Sequence, residues 1–302
     1  MDIKRDDIIL TVRCLTFNQV DYVRQCLDGI VMQQTNFRFV ALVHDDASTD
    51  GTAEIVAEYA EKYPDIIDAI LEKENQYSKG GGALSKAILS HCVGKYIAYI
   101  EGDDYWTDPY KLQKEVDFLE NNPEYGLVRT SFSRYYQSEG KLEEGVFPVM
   151  VGMEDTHQGY LMNPIFAGPL TWVFRMEYQT HRRQYDRNKC FGGDLALLLE
   201  ISQVSKVKSL EDNTAVYRIL DSSASHSGSP KKSLNFLIKL KNTRVLFAKE
   251  QPFSFRIKFW WRICSSYRNK YKRAGRYNEW LIMCLIDFNE LFLNRKIVKK
   301  TR

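Results

Sequence analysis

The sequence lacks any apolar run of the roughly 18 to 20 residues that a membrane-spanning helix requires. Its N-terminal residues 1–7 also lack the apolar core of a secretory signal peptide. There is no low-complexity tract, and 44% of the 302 residues are hydrophobic. We therefore expect a globular, cytoplasmic protein that buries one large core and neither enters the secretory route nor spans a membrane.

Pairs and clusters of cysteine are absent as well. The six cysteines form no Cys-x-x-Cys pair and no Cys/His cluster at zinc-ligand spacing. We expect reduced and mostly buried thiols at Cys14, Cys26, Cys92, Cys190, Cys264 and Cys284.

Two common nucleotide-binding motifs are also absent. No Gly-x-Gly-x-x-Gly follows the first apolar run, and no Walker-type Gly-Lys-Ser/Thr occurs. This disfavours dinucleotide oxidoreductases and P-loop enzymes. A nucleotide would have to be held by other residues.

The first part of the chain alternates between short apolar runs and segments with helical spacing. Strands are predicted at Ile8–Val12, Phe39–Val43, Ile66–Leu71 and Tyr96–Ile100, and helices at 22–30, 52–63, 83–91 and 112–119. This alternation predicts an α/β fold whose mostly parallel, Rossmann-like sheet has helices on both faces. Ligands of such sheets bind outside the carboxyl ends of the strands.

Acidic side chains follow two of these strands. Glu101, Asp103 and Asp104 follow the fourth strand, and Asp45 and Asp46 follow the second. Carboxylates at this edge suit a divalent cation, Mg²⁺ or Mn²⁺, which would neutralise a diphosphate. The alternative is that these acids only form turns or cap the next helix.

A glycine-rich turn lies between the two acidic loops. Lys79 precedes three glycines, residues 80–82, just before the third predicted helix. Glycine allows backbone N–H groups to approach an anion, and Lys79 adds a point charge for a phosphate. The alternative is a simple flexible loop.

These motifs together resemble family 2 inverting glycosyltransferases of the GT-A fold. The segments that carry the resemblance are Thr16–Ile30, Asp45–Thr52, Glu74-Asn75 and Glu101–Asp104, within residues 8 to 225. The resemblance implies a nucleotide-sugar donor, by family habit a UDP-sugar, together with a divalent metal. It also implies transfer of one sugar to an acceptor hydroxyl with inversion at the anomeric carbon.

Donor contacts follow from the resemblance. Asp45 and Asp46 match the position that holds base and ribose, with Asp46 favoured, and Asn75 and Lys79 belong to the same nucleotide-sugar site. The oxygen atoms of a carboxylate at this position can accept hydrogen bonds from the uracil N3–H group or from ribose hydroxyls. Arg218 lies in a Tyr-Arg segment that the resemblance puts near the diphosphate.

The metal motif is assigned in the same way. Glu101-Gly102-Asp103 occupies the family's Asp-x-Asp position, with Glu in place of the first Asp. Asp103 is then the metal ligand, Glu101 contacts the ribose or a metal-bound water, and Asp104 gives support or a second contact. His226 is a candidate third metal ligand through its neutral imidazole, although a lone loop histidine is commonly just solvated.

Asp194 is the candidate catalytic base. It precedes an apolar run, residues 195–199, and follows Gly193, where the family usually has Glu. An inverting transfer needs a base because the attacking hydroxyl loses its proton as it displaces the diphosphate. The alternative for Asp194 is an ordinary helix-capping carboxylate.

The domain limits also follow from the resemblance. We expect a GT-A domain over residues 1–228, with a nucleotide-sugar half at about 1–130 and an acceptor half at about 131–228. Aromatic residues of the region 127–187 suit sugar rings, and are equally ordinary core material. Processive members of the family carry a Gln-x-x-Arg-Trp motif, which is absent here, so addition of a single sugar is favoured.

The remaining segment, residues 229–302, is predicted to be a basic, aromatic helical extension. From Lys231 to Arg302 there are 19 Lys and Arg against four Asp and Glu. Interleaved aromatic and basic side chains suit an anionic membrane surface, where lipid-linked acceptors of bacterial polysaccharide synthesis are found. The alternative is packing on the catalytic domain, and no nucleic-acid partner is expected because no nucleic-acid motif is present.

The main hypothesis is thus a metal-dependent, inverting, non-processive glycosyltransferase of O-antigen or capsule synthesis, peripheral on the cytosolic face of the inner membrane. One alternative is a catalytically silent module of the same fold that binds sugar nucleotides or glycans. Another is a nucleotidyltransferase that uses the same sheet edge, although it lacks a glycine-rich signature after the first strand.

Overall fold

The computed structural model describes residues 7–80, 82–146, 155–163, 168–180, 193–220 and 230–293. Contacts between Cα atoms divide the chain into two units. The first comprises Met1–Asp155, Phe166–Arg182 and Val204–Ile219, and the second comprises Thr156–Ile165, Arg183–Gln203 and Leu220–Arg302. Residues 156–165 and 183–203, which the sequence places in the GT-A domain, therefore group with the C-terminal segment.

The first unit is built on a sheet whose strand order is β3-β2-β1-β4-β8-β6-β9-β5, with β7 paired to β6. The strands are β1 (Ile8–Thr16), β2 (Arg38–Asp45), β3 (Ile67–Leu71), β4 (Tyr96–Glu101), β5 (Tyr105–Trp106), β6 (Tyr125–Tyr136), β7 (Lys141–Val146), β8 (Trp172–Arg175) and β9 (Lys206–Ile219). Strands β3, β2, β1 and β4 are parallel, and β8 runs antiparallel to β4. The α/β fold predicted from the alternating pattern is confirmed.

Helices of the first unit are α1 (Val23–Val31), α2 (Thr52–Lys62), α3 (Ala83–Leu89), α4 (Lys111–Asn121) and α6 (Glu177–Thr180). Successive residues of β2 enter different clusters of buried side chains: Ala41 and Val43 join one, and Val40 and Leu42 join another with Ile88 of α3. Alternate residues of a strand point to opposite faces of the sheet. Apolar side chains therefore cover both faces, as the continuous apolar strands predict.

Helix α1 lies very close to the backbone of Trp106 at Gly29. A Cβ atom at this position would lie 2.8 Å from the backbone nitrogen of Trp106 and 2.9 Å from its carbonyl oxygen. Only glycine allows this distance. The contact holds α1 against β5, directly after the acidic motif.

Helices of the second unit are α5 (His157–Met162), α7 (Asp194–Val204), α8 (Pro230–Ala248), α9 (Phe253–Arg273) and α10 (Tyr277–Phe292). The helical C-terminal extension predicted from the sequence is confirmed. Helices α8 and α10 are joined by a buried ion pair between Lys241 and Asp287, and the hydroxyl of Tyr267 in α9 donates to the carbonyl oxygen of Leu237 at 2.7 Å. Within the described ranges, no helix combines the length and the apolar character needed to cross a bilayer.

Candidate functional site

The acidic loops lie at one edge of the first unit, because the strands that carry them are parallel neighbours. In the sheet register, Thr16 of β1 pairs with Asp45 of β2, and Leu15 pairs with Glu101 of β4. Neighbouring strands are about 4.8 Å apart, so the backbones of Asp45 and Glu101 lie roughly 10 Å apart on either side of β1. This edge is where the sequence predicts a ligand site.

Asp45 organises the turn after β2. Its carboxylate accepts from the Thr16 hydroxyl at 3.0 Å and from the backbone N–H and hydroxyl of Ser48 at 2.9 and 2.6 Å. Only 1% of the residue is exposed. This is the Asx-turn geometry that the sequence analysis gives as the alternative to ligand contact.

Asp46 joins the end of β2 to the loop that follows β3. Its two carboxylate oxygens accept from the backbone N–H groups of Gln76 and Tyr77 at 2.6 and 3.0 Å. The Asn75 amide donates to the Asp46 carbonyl oxygen at 3.1 Å. Each oxygen of Asp46 retains one lone pair, whereas Asp45 Oδ2 accepts two bonds, so Asp46 keeps the greater capacity for a ligand.

A buried histidine that the sequence analysis missed supports the same loop. His44 is 0% exposed, and its Nε2 lies 3.1 Å from Glu72 Oε1. The Gln76 side chain donates to Glu72 Oε2 at 3.0 Å. The sequence signal that could have identified His44 is its position, because it directly follows the apolar run of β2.

Lys79 forms an exposed ion pair with Glu74 at 2.9 Å in this loop. The hydrogen bond from Lys79 lowers the pKa of the Glu74 carboxyl. Gly80 and Gly82 have φ angles of +66° and +83°, a region that favours glycine. The following helix α3 has only seven residues.

The acidic motif after β4 is largely withdrawn from solvent. Asp104 is 4% exposed, and its Oδ1 accepts from the backbone N–H of Arg218 at 2.9 Å. Burial and the neighbouring Asp103 charge raise the pKa of the Asp104 carboxyl, and burial also raises that of Asp103. Glu101 is exposed. A nearby cation would favour the ionised form of all three acids.

Arg218 lies beside the acidic motif rather than open to solvent, and only 6% of it is exposed. Its Nε donates to the carbonyl oxygen of Asp103 at 2.8 Å, and its terminal nitrogens donate to the side-chain oxygens of Gln137 and Gln25, each at 2.6 Å. The guanidinium carbon lies 4.8 to 5.5 Å from three ring centroids, those of Tyr22, Tyr105 and Tyr135. All three guanidinium nitrogens of Arg218 therefore donate hydrogen bonds within the protein.

Asp194 is the first residue of α7 in the second unit. The apolar side chains that follow it, including Leu195, Leu197 and Leu198, are buried, and Asp194 itself is half-buried. The predicted position of an acid at a helix start is confirmed, and its role as a base stays a prediction. His226 lies outside the described residues.

The acidic motif suits a metal ion that is coordinated partly by the protein and partly by the phosphates of a bound substrate. No group of three His, Cys, Asp or Glu side chains is arranged to hold a metal in the part of the chain that the structure describes. Mg²⁺ and related ions are commonly held by one or two carboxylates together with substrate phosphates. Asp103, a carboxylate whose pKa is raised by burial, together with exposed Glu101, suits such an ion.

The fold and the acidic loops at the sheet edge can be compared with those of known proteins. The family model described as "Glycosyl transferase family 2" matches residues 12–191. The chain belongs to glycosyl transferase family 2. This confirms the resemblance found in the sequence.

Two curated relatives illustrate the match. An uncharacterized protein of Mycobacterium tuberculosis is 44% identical over 168 residues, which cover 56% of this chain and 47% of the relative. The Escherichia coli enzyme WfaP, named UDP-Glc:alpha-D-GlcNAc-diphosphoundecaprenol beta-1,3-glucosyltransferase, is 28% identical over 139 residues, which cover 46% and 51%. The matched segments span about half the length of these relatives.

Two solved structures share the fold. Staphylococcus aureus TarS 1–349 in complex with UDP-GlcNAc has a TM-score of 0.62 at 14% identity, covering 94% of this chain and 78% of that one. The Pyrobaculum calidifontis mannosyltransferase PcManGT, in complex with GDP-Man and Mn²⁺, has a TM-score of 0.58 at 15% identity, covering 97% and 91%. These likenesses confirm the GT-A fold.

Proposed function

We propose that the chain transfers one sugar from a nucleotide-sugar donor to an acceptor hydroxyl, without processivity and with inversion at the anomeric carbon. The observation that carries the proposal is the convergence of the Asp45-Asp46 turn and the Glu101–Asp104 motif on either side of β1. The first turn is suited to base and ribose, and the second to a metal and diphosphate. Their separation of roughly 10 Å matches a ligand with both parts.

The donor is a UDP-sugar in this proposal. Asp46 offers its remaining lone pairs to uracil N3–H or to ribose hydroxyls, and Asn75 and Lys79, in the loop that Asp46 holds, are the further proposed donor contacts. The E. coli relative is named for UDP-Glc, and TarS is solved with UDP-GlcNAc. PcManGT binds GDP-Man, so GDP-sugars belong in the same test.

Asp103 is the proposed metal ligand, assisted by Glu101. A bound Mn²⁺ or Mg²⁺ would neutralise charge that develops on the leaving diphosphate. Asp104 does not face the solvent, and its bond from the Arg218 backbone fixes the loop that presents Asp103. His226 is retained as a candidate third ligand by sequence alone.

Asp194 is the proposed base. A half-buried carboxylate at the start of α7 can accept the proton that the acceptor hydroxyl loses as its oxygen attacks the anomeric carbon. The bond to the diphosphate breaks on the opposite side, which gives inversion. The carboxylate of Asp194 is neutralised by this proton.

The acceptor is proposed to be a lipid-linked glycan of bacterial surface polysaccharide synthesis at the cytosolic side of the membrane. The name of the E. coli relative includes diphosphoundecaprenol, which is a lipid carrier of this kind. We expect no nucleic-acid partner, because no nucleic-acid-binding motif accompanies the basic residues of the C-terminal segment.

The test is release of nucleoside diphosphate from UDP-GlcNAc, UDP-Glc and GDP-Man in the presence of Mn²⁺. The wild type should consume one donor, and Asp194→Asn should consume it at least about 100-fold more slowly, since loss of a general base typically costs that much. Asp117→Asn is the matched control, because Asp117 is exposed on α4 and its bond from Gln113 survives the change. Donor binding without turnover in the wild type would support the catalytically silent module instead.

A further inference from the structure

Helices α9 and α10 of the second unit carry a large exposed apolar surface that no other described residue covers. In α10, Leu281, Ile282, Leu285 and Ile286 are 56% to 69% exposed, and Trp261 of α9 is 64% exposed. We call this surface the α9/α10 face. Ile257 of α9, Phe288 of α10 and Leu293, which directly follows α10, also belong to it.

The two helices that carry these side chains pack directly against each other. The two helices run antiparallel: Trp260 donates to the carbonyl oxygen of Cys284 at 2.9 Å, and Trp280 donates to that of Cys264 at 2.8 Å. The exposed positions of α10 recur at three- and four-residue spacing, which defines one helix face. That face lies away from the buried Met283 and its neighbours.

Charge divides unevenly between the two helices. Helix α9 contains seven Lys and Arg and no acidic residue, whereas α10 contains three acidic residues and no Lys or Arg. The acids of α10 are each paired: Glu279 with Arg276, Asp287 with Lys241, and Glu290 with Lys249. The surface that remains beside the apolar side chains is therefore positive, with Lys258, Arg262, Arg268, Lys272 and Arg273 exposed.

We propose that the α9/α10 face docks on an anionic lipid bilayer. The helices would lie in the interface, with the aliphatic side chains of α10 and the ring of Trp261 at the boundary between headgroups and acyl chains. The exposed cations of α9 would meet lipid phosphates. This surface is made by residues of the second unit alone.

Charge favours a bilayer over the other occupants. A second copy of the chain would bring two sets of α9 cations together, which costs free energy. A nucleic acid would satisfy the cations and leave Leu285 and Ile286 in water. An anionic bilayer is the partner that takes up both the apolar side chains and the positive charge.

The test is flotation of the full chain with vesicles of phosphatidylcholine alone or mixed with phosphatidylglycerol. We expect binding to the mixed vesicles that weakens as salt is raised, because screening reduces the charge attraction. Leu285→Ser should weaken this binding about tenfold, the effect of withdrawing one large aliphatic side chain from an apolar environment. Leu142→Ser, which changes an exposed leucine on β7 of the first unit, should leave binding unchanged.

Two further measurements separate the contributions. Lys258→Glu combined with Lys272→Glu should remove the preference for anionic vesicles. Trp261 is the most exposed of the five tryptophans, so bound vesicles should protect its fluorescence from acrylamide, and Trp261→Phe should abolish that change. Equal binding by the Leu285 and Leu142 variants, no vesicle binding, or a dimer broken by Leu285→Ser without vesicle binding would each overturn the proposal.

Discussion

Replacement of Arg218 by lysine tests how the acidic motif is held. The sequence resemblance puts Arg218 near the diphosphate, whereas in the structure it bonds to the Asp103 carbonyl and is covered by Gln137 and Gln25. We propose that Arg218 is a positioning residue for Asp103 and Asp104. Lysine keeps the charge but cannot hold three acceptors in the arginine geometry.

The size of the effect follows from the bonds that are lost. Lysine at position 218 can remake one of the three side-chain bonds, and each lost bond has a net value of about 1 kcal/mol. We expect Arg218→Lys to cost about 2 kcal/mol. If the whole cost falls on the donor-bound state, the donor dissociation constant rises roughly 30-fold.

Gln137→Leu distinguishes positioning from direct contact. It removes one bond to Arg218 and should weaken donor binding about fivefold if Arg218 acts by holding the motif. Combined with Arg218→Lys it should add little, since both changes remove the same bond. The assay is calorimetric titration of the donor, with Gln113→Leu on α4 as control. Donor affinity that stays equal or rises in Gln137→Leu, while Arg218→Lys loses it, would refute the positioning role.

Three more predictions follow from other contacts. Gly29→Ala should destabilise the protein by about 2 kcal/mol, seen as a lower Tm, because its Cβ would lie 2.8 Å from the Trp106 backbone nitrogen; an unchanged Tm would contradict this. Lys111→Met should cost about 3 to 5 kcal/mol because it leaves buried Glu115 without its ion-pair partner. Adding Glu115→Leu should restore most of the lost Tm, and failure to do so would show that the pair itself is needed. Asp46→Asn should release the loop after β3, because the two backbone N–H groups bond different carboxylate oxygens and one of these becomes an NH2 group, which cannot accept. Limited proteolysis in this loop should then be faster, and wild-type resistance would contradict the prediction.

The sequence predicts the first part of the sheet closely because buried parallel strands are continuous apolar runs. The main difference is β1, which is predicted to end at Val12 and continues to Thr16. Arg13 interrupts the apolar run, but its guanidinium carbon lies 4.3 Å from the ring centroid of Tyr99 on the neighbouring strand β4. This cation–π contact stabilises the guanidinium, so a charged side chain can lie within the strand.

Helix α4 shows a similar local effect. The helix is predicted at 112–119 and begins at Lys111, although Thr107-Asp108-Pro109 is itself a pattern typical of a helix start. The Asp108 carboxylate accepts from the Tyr110 backbone N–H at 2.8 Å and so forms a turn before the helix. Turn and helix-start signals share the same residues, and sequence alone does not separate them.

The candidate site is predictable in its residue types but not in their partners. Parallel strands bring Asp45 and Glu101 to one edge, which the strand pattern indicates. The bonds from the Gln76 and Tyr77 backbone to Asp46, and from Arg218 to the acidic motif, join distant parts of the chain and depend on loop geometry. No local pattern encodes them.

The most direct test of the central claim is calorimetric titration of UDP, UDP-GlcNAc, UDP-Glc and GDP-Man, each with and without Mn²⁺. The wild type and the control Asp117→Asn should bind one nucleotide with metal dependence, and Asp103→Asn should lose that dependence. Loss of binding in both variants alike, or absence of binding by the wild type across all four nucleotides, would contradict a donor site at this edge of the sheet.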